Sequence, residues 1–325
     1  MKVMAITRCR PVMALAVAVA TCTACASRPA TPATTEPARP PAATTEKPAP
    51  GPAGAAAAPG TPAAKVPAIT AADGTRIAYE VSGSGPALLL LHGGGQTRTS
   101  WAERGYVDRL AKKFTVIRPD LRGSGDSGRP DSAAAYALDT VLADILAVAD
   151  AAGAKRFHLW GFGHGASIGR YLAVRSDRVI SAVLVGADMG ATISGPVKEA
   201  VVAMRTKWQP LLDAQKAGAF DIKKLSIGDR DAWEHGVALS AVQLGALADY
   251  PPVQPADFKV PTLWLIGAAD ASGMENVKQF EGKLTGTKVT FKQLSGLSYS
   301  DSFARIEPVL AEVEPFLAST AAPSS

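Results

Sequence analysis

The sequence predicts an α/β domain: a doubly wound, mostly parallel sheet carrying a helical lid insertion. Three observations carry that prediction. Short apolar runs alternate with helical hydrophobic periodicity from residue 68 to 318. One interval, about 189–258, shows helical material with no strand pattern. Residues 26–67 are dominated by Pro, Ala and Thr, and such a stretch cannot bury enough apolar surface to offset its chain entropy.

The elements follow in order. A strand is expected over 77–81, closed by the turn Ser82-Gly83-Ser84-Gly85-Pro86. The run over 87–91 is apolar throughout and reads as a strand buried on both faces. Further strands are expected over 115–117, 157–160, 179–185, 262–266 and 289–294. Between them, Leu138, Val141, Leu142, Ile145, Leu146 and Ala149 fall on one helical face. A last helix over 302–317 buries Phe303, Ile306, Leu310 and Val313. Strands joined by crossover helices give a parallel sheet. The interval 189–258, with Trp208, Trp233, His235 and Tyr250, is placed to roof the crevice at the carboxyl ends of the strands, its aromatics serving mainly as its own core.

The N-terminus reads as an export signal over residues 1–25. Lys2, Arg8 and Arg10 precede an apolar run over 11–20, shorter than the roughly 20 residues a spanning helix needs. Thr23-Ala24-Cys25 resembles a bacterial lipobox, which makes Cys25 the lipidated residue of an envelope lipoprotein, with release as a soluble exported protein as the alternative. Residues 26–67 are then a spacer, and 319–325 a tail. Cys9, Cys22 and Cys25 are the only cysteines, so the folded body has neither disulfide nor thiol. The 34 Lys and Arg exceed the 29 Asp and Glu by five, and three of those cations belong to the leader. No cationic cluster is interleaved with aromatics, which argues against nucleic-acid binding. No metal-ligand spacing and no phosphate-binding glycine loop occurs, so no cofactor is expected.

Four motifs carry the chemistry. They are Leu88-Leu89-Leu90-Leu91-His92-Gly93-Gly94-Gly95, Asp120-Leu121-Arg122-Gly123-Ser124-Gly125-Asp126-Ser127, Leu159-Trp160-Gly161-Phe162-Gly163-His164-Gly165, and the strand 261–270 ending in Asp270. In this order, across 68–318, they resemble the α/β-hydrolase family. The resemblance implies a nucleophile elbow at Gly161–Gly165, an acid at Asp270, and oxyanion donors in the N–H groups of Gly94 and His164. It gives His92 and Gly93 places in the oxyanion loop, His92 in a structural role. It also exposes two departures. The nucleophile position is Gly163, and registering the final helix places Tyr299 where the family has its histidine base. A phenol with a pKa near 10 is a poor base at neutral pH. Of the remaining histidines, His158 lies in a buried strand and His235 on the insertion, and His164 is a candidate for facing the pocket. Ser167, one helical turn past Gly163, should point into helix–sheet packing. The expectation is a non-catalytic protein that binds a small apolar or ester-like ligand, or an envelope protein. The alternative is an enzyme acting on a small ester or amide, or running cofactor-free lyase-type chemistry with Asp270 and His164.

Overall fold

The computed structural model describes residues 66–320. The expected signal segment with Cys25, the expected spacer up to residue 65 and the tail beyond residue 320 lie outside the described residues.

The chain begins with β1 (Ala68–Thr70), β2 (Arg76–Ser82) and β3 (Ala87–Leu91), followed by the short helices α1 (Thr99–Glu103) and α2 (Tyr106–Leu110). Next come β4 (Thr115–Pro119), α3 (Leu138–Ala151), β5 (Phe157–Phe162), α4 (His164–Arg175) and β6 (Val179–Val185). An insertion of three helices follows: α5 (Gly195–Lys216), α6 (Ile227–Glu234) and α7 (Val237–Ala246). The chain then completes the sheet with β7 (Thr262–Gly267), α8 (Ala271–Phe280) and β8 (Val289–Leu294), and ends in α9 (Asp301–Ala304) and α10 (Ile306–Thr320).

The eight strands lie in the order β1-β2-β4-β3-β5-β6-β7-β8. β1 and β2 run antiparallel to their neighbours, and the pairs from β4 to β8 are parallel. Strand side chains alternate between faces. Leu89, Leu91, Leu159, Leu184 and Trp264 therefore pack on one side with α3 and α4, while Leu88, Leu90, Trp160, Val183 and Leu265 pack on the other with α1, α2 and α10. The insertion has its own small core around Trp208, Leu212, Ala241 and Val242, closed by Tyr136. No described helix is long and apolar enough to cross a membrane.

Two elements differ from the sequence expectation. β1 is a three-residue edge strand, too short to show an alternation. The single helix expected over 302–317 is broken at Arg305, whose backbone is extended (φ −101°, ψ 91°). The Tyr106 hydroxyl donates to the Phe303 carbonyl at 3.0 Å, so that oxygen faces a side chain instead of a fifth-residue amide.

The ends of the insertion are pinned to each other and to helices α8 and α4. Gly190 and Val253 form an antiparallel bridge. The Met189 amide donates to Asn276 Oδ1 (2.8 Å), Asn276 Nδ2 donates back to the Met189 carbonyl (3.0 Å), and the Tyr171 hydroxyl donates to the Pro251 carbonyl (2.6 Å).

Candidate functional site

The elbow between β5 and α4 is built by close approach. A Cβ on Gly161 would lie 2.5 Å from the backbone of Ala166, and one on Gly165 would lie 2.5 Å from the Leu91 carbonyl carbon. Only glycines let α4 sit this tightly on β5 and β3. Gly163 takes φ +50°, ψ −112°, its N–H donating to the Val185 carbonyl at 2.8 Å and its carbonyl accepting from the Ser167 N–H at 2.8 Å. This is the strained turn that in the Gly-x-Ser-x-Gly elbow presents a hydroxyl.

What stands over Gly163 is Tyr299, from the loop between β8 and α9. A Cβ on Gly163 would overlap the Tyr299 hydroxyl oxygen and lie 3.2 Å from its Cζ. The three nearest atoms to that imagined Cβ all belong to Tyr299. The ring passes beside Gly186 (φ +64°), where a Cβ would come within 2.9 Å of ring carbon Cε2, and packs on Phe162 at 5.1 Å between centroids. The phenol thus lies in a slot between the residues that follow β5 and β6. Its outer edge is open, with 39 % of the residue exposed, while the hydroxyl faces inward. Burial, reinforced by the nearby Asp270 and Asp188 carboxylates, pushes the phenol up to about 12, so it is a neutral hydroxyl at physiological pH.

Asp270 leaves the end of β7, half-buried, and caps α8 by accepting the Gly273 N–H at 3.0 Å. Sequence reasoning missed Asp188. It follows Gly186 and Ala187 at the carboxyl end of β6, between the strands that carry Gly163 and Asp270. Its carbonyl accepts from the Arg170 guanidinium, and Arg170 also donates to Thr192 Oγ1 at 2.6 Å. Burial, then repulsion from Asp270, raises the Asp188 carboxyl to about 6, partly opposed by Arg170. The available signal was a carboxylate just past a buried parallel strand.

That shift has a measurable consequence. A carboxyl whose folded-state pKa is raised contributes most to stability below its unfolded value, and the contribution is lost as pH rises through the folded value. Asp188 therefore opposes folding increasingly between pH 4 and 6 and fully above that. Asp188→Asn is expected to raise the unfolding free energy at pH 7.5 by about 1–2 kcal/mol, seen as a higher melting temperature, and to give no gain at pH 4. Thermal denaturation across that range checks it.

In the loop after β3, His92 is buried and structural. The Leu121 N–H donates to its Nε2 at 3.1 Å, which leaves Nδ1 protonated and donating to the Gly93 carbonyl at 2.9 Å. Burial lowers its pKa. It braces the loop and presents neither ring nitrogen to the site. The Gly93 N–H is taken by Gln96 Oε1 at 2.9 Å. Gly94 is exposed, and its Cα faces the His164 side chain, where an added Cβ would be 3.8 Å from the His164 Cβ. The His164 amide is at the first turn of α4, among the N–H groups that have no partner within their own helix. Gly94 and His164 thus lie side by side at the elbow.

The His164 imidazole lines a void on the insertion side, with Leu121, Tyr136, Gln243, Leu247 and Tyr250, that holds about 10 Å³, room for about one water. Burial and the neighbouring His92 push it down to about 4. An imidazole so hard to protonate is a weak proton acceptor near pH 7, which weighs against His164 as the base of lyase-type chemistry. His158 is buried against Ser181 Oγ (2.8 Å), and His235 is exposed beside Asp231 at the end of α6. Ser167 is half-buried on α4. Among the described residues no group of three His, Cys, Asp or Glu could hold a metal ion.

Residues 86–222 match a family profile described as alpha/beta hydrolase fold. The chain is 36 % identical over 122 residues to an uncharacterized protein of Mycobacterium tuberculosis, covering 37 % of this chain and 34 % of that one. It is 40 % identical over 105 residues to a fluoroacetate dehalogenase of Burkholderia sp., covering 31 % and 34 %. The chain thus spans about a third of the length of these curated relatives. Among solved structures, a thermophilic esterase from Thermogutta terrifontis superposes with a TM-score of 0.60 at 23 % identity, over 80 % of this chain and 100 % of that one. A bottromycin epimerase bound to bottromycin A2 gives 0.55 at 24 % identity, over 78 % and 98 %. These two likenesses concern the fold.

Proposed function

We propose that this chain, which has the α/β-hydrolase fold, is a non-catalytic protein that binds a small, oxygen-bearing apolar ligand at the elbow around Gly163. The observation that carries this reading is the Tyr299 hydroxyl lying where any side chain on residue 163 would begin. Serine-type acyl transfer needs a nucleophile, a base within reach of it, and donors for the oxyanion. Position 163 has no side chain, and the group above it is a neutral phenol that donates far more readily than it accepts a proton. The donor half of the machinery is left: the Gly94 and His164 amides. Such a set binds a carbonyl oxygen without attacking it.

The proposal extends to the cell envelope. The basic start, the short apolar run and Cys25 support an exported, lipid-anchored protein, and residues 26–67 would then space the domain from the membrane.

The expected result is that the full chain, given a panel of p-nitrophenyl esters and short peptide substrates, turns over none above buffer and takes no label from a fluorophosphonate probe. Robust hydrolysis of any of them by the wild type sinks the reading.

A further inference from the structure

We infer that the slot between Gly163 and Gly186 is a seat for a flat aromatic ring bearing an oxygen, and that Tyr299 is its built-in occupant, displaced when such a ligand binds. The inference rests on the reading of the site as a binding seat and names the class of ligand it takes.

The slot's shape comes first. Both glycines have positive φ and present bare Cα atoms, and a Cβ on either would strike the ring or its hydroxyl. The ring packs on Phe162, which is itself stacked on Phe303 at 4.7 Å between centroids. Two thin walls and an aromatic floor accept a planar group edge-on and refuse a puckered one. Aromatic pairs at this separation gain from packing beyond area alone.

The polarity comes next. The oxygen of the occupying phenol lies over Gly163, at the first turn of α4. There the unpaired amides of a helix start favour an oxygen with lone pairs. Tyr299 therefore imitates, from within the chain, a ligand with a flat ring and an oxygen at one end.

The third observation concerns how Tyr299 is held. The residue is 39 % exposed, so part of it already faces solvent. The side-chain hydrogen bonds of its loop run between Ser298 and Asp301 on either side of it, at 2.7 and 3.1 Å, and among the described residues none reaches its Oη. Gly296, three residues earlier, has φ +65°. The loop is tied around Tyr299 while the side chain is held by packing alone. A side chain that serves only as filler would gain from a lock; this one has none.

A gate that is open a fraction f of the time weakens apparent affinity by that fraction, so removing it strengthens binding by 1/f. With an open state of roughly 1–10 %, Tyr299→Ala should bind free phenol, the group it has lost, about 10- to 100-fold more tightly than the wild type. The experiment uses the full chain labelled with 3-fluorotyrosine, the Tyr299 resonance being assigned by its loss in Tyr299→Phe. Phenol and cyclohexanol are titrated by ¹⁹F NMR of the wild type and by calorimetry of wild type and Tyr299→Ala. The inference expects phenol to move the Tyr299 resonance towards the position of an exposed tyrosine, the variant to bind phenol more tightly, and cyclohexanol to do neither. Phenol binding to the variant with no change at Tyr299 in the wild type overturns it, because Tyr299 is then a fixed filler. No phenol binding by the folded variant, or equal binding of cyclohexanol, overturns it as well. Should Tyr299→Ala not fold, the wild-type resonance decides alone. Ester hydrolysis by the wild type would refute the non-catalytic reading without touching this outcome, and a silent Tyr299 resonance would refute the seat without implying hydrolysis.

Discussion

Asp120→Ala is expected to lower the unfolding free energy by about 3–5 kcal/mol, the range for breaking a buried ion pair from one side. Asp120 is completely buried. Its Oδ1 accepts the Arg98 backbone N–H at 2.7 Å, its Oδ2 accepts the Asp126 N–H at 2.8 Å, and the same oxygen pairs with the Arg98 guanidinium. Its backbone carbonyl accepts from Ser127 Oγ at 2.7 Å. Removing the carboxylate orphans the buried Arg98 amide and the partly buried Asp126 amide, and leaves Arg98, only 5 % exposed, with Glu80 and Asp126 as its remaining partners. Each orphaned donor adds a desolvation penalty of about 1–3 kcal/mol before any relaxation. The effect reaches the site, because Arg98 follows the Gly93-Gly94 turn by a few residues and Asp120 is what ties that loop to the end of β4. Urea denaturation checks the magnitude. Asp120→Asn is the control, keeping the shape and losing the charge, and should fall between wild type and alanine. Asp120→Glu should not rescue, since Gly125 packs so closely on this carboxylate that a longer side chain has nowhere to go.

Much of this arrangement was legible in the sequence, for reasons that are themselves physical. The run Leu88-Leu89-Leu90-Leu91 is apolar throughout because both faces of a central parallel strand are covered, and all four residues are fully buried. Gly161 and Gly165 are readable as an elbow because close approach of α4 leaves no alternative residue. Tyr299 could be placed by counting back from the final helix. Its seat could not: the contact with Gly163 and Gly186 joins residues more than a hundred positions apart, and no local pattern encodes it. Asp188 was hidden for a similar cause. Its raised pKa comes from burial and then from the neighbour order β5-β6-β7, which puts Asp270 beside it, and a lone aspartate after a strand carries no trace of either. His164 shows the reverse case. Its position beside the elbow was evident, but which way the ring turned depended on how the insertion packs, and the ring lines the void beside Gln243.

Gly163→Ser is expected to be more damaging than the strain of its backbone alone would make it. A non-glycine residue held in a sparsely populated conformation costs about 1–3 kcal/mol. To this the structure adds an overlap between the new Cβ and the Tyr299 hydroxyl, and overpacking of this kind typically costs a further 1–3 kcal/mol or so. The ring cannot retreat sideways, because Gly186 and Phe162 confine it, so it must leave the slot. The second term should vanish when the ring is absent. In a double-mutant cycle with Tyr299→Ala, the two substitutions should couple by about 1–3 kcal/mol, the double variant being more stable than the sum of the single losses predicts. Chemistry gives a separate readout. Gly163→Ser alone restores a hydroxyl with no base and should remain without esterase activity. Gly163→Ser with Tyr299→His puts an imidazole in the vacated slot, near Asp270, and should show weak p-nitrophenyl acetate hydrolysis above either single variant. Additive stabilities in the cycle would mean that residue 163 and Tyr299 do not compete for one space, and the account of the site given by its geometry would fall with them. An active single serine variant would show instead that some other group already serves as the base.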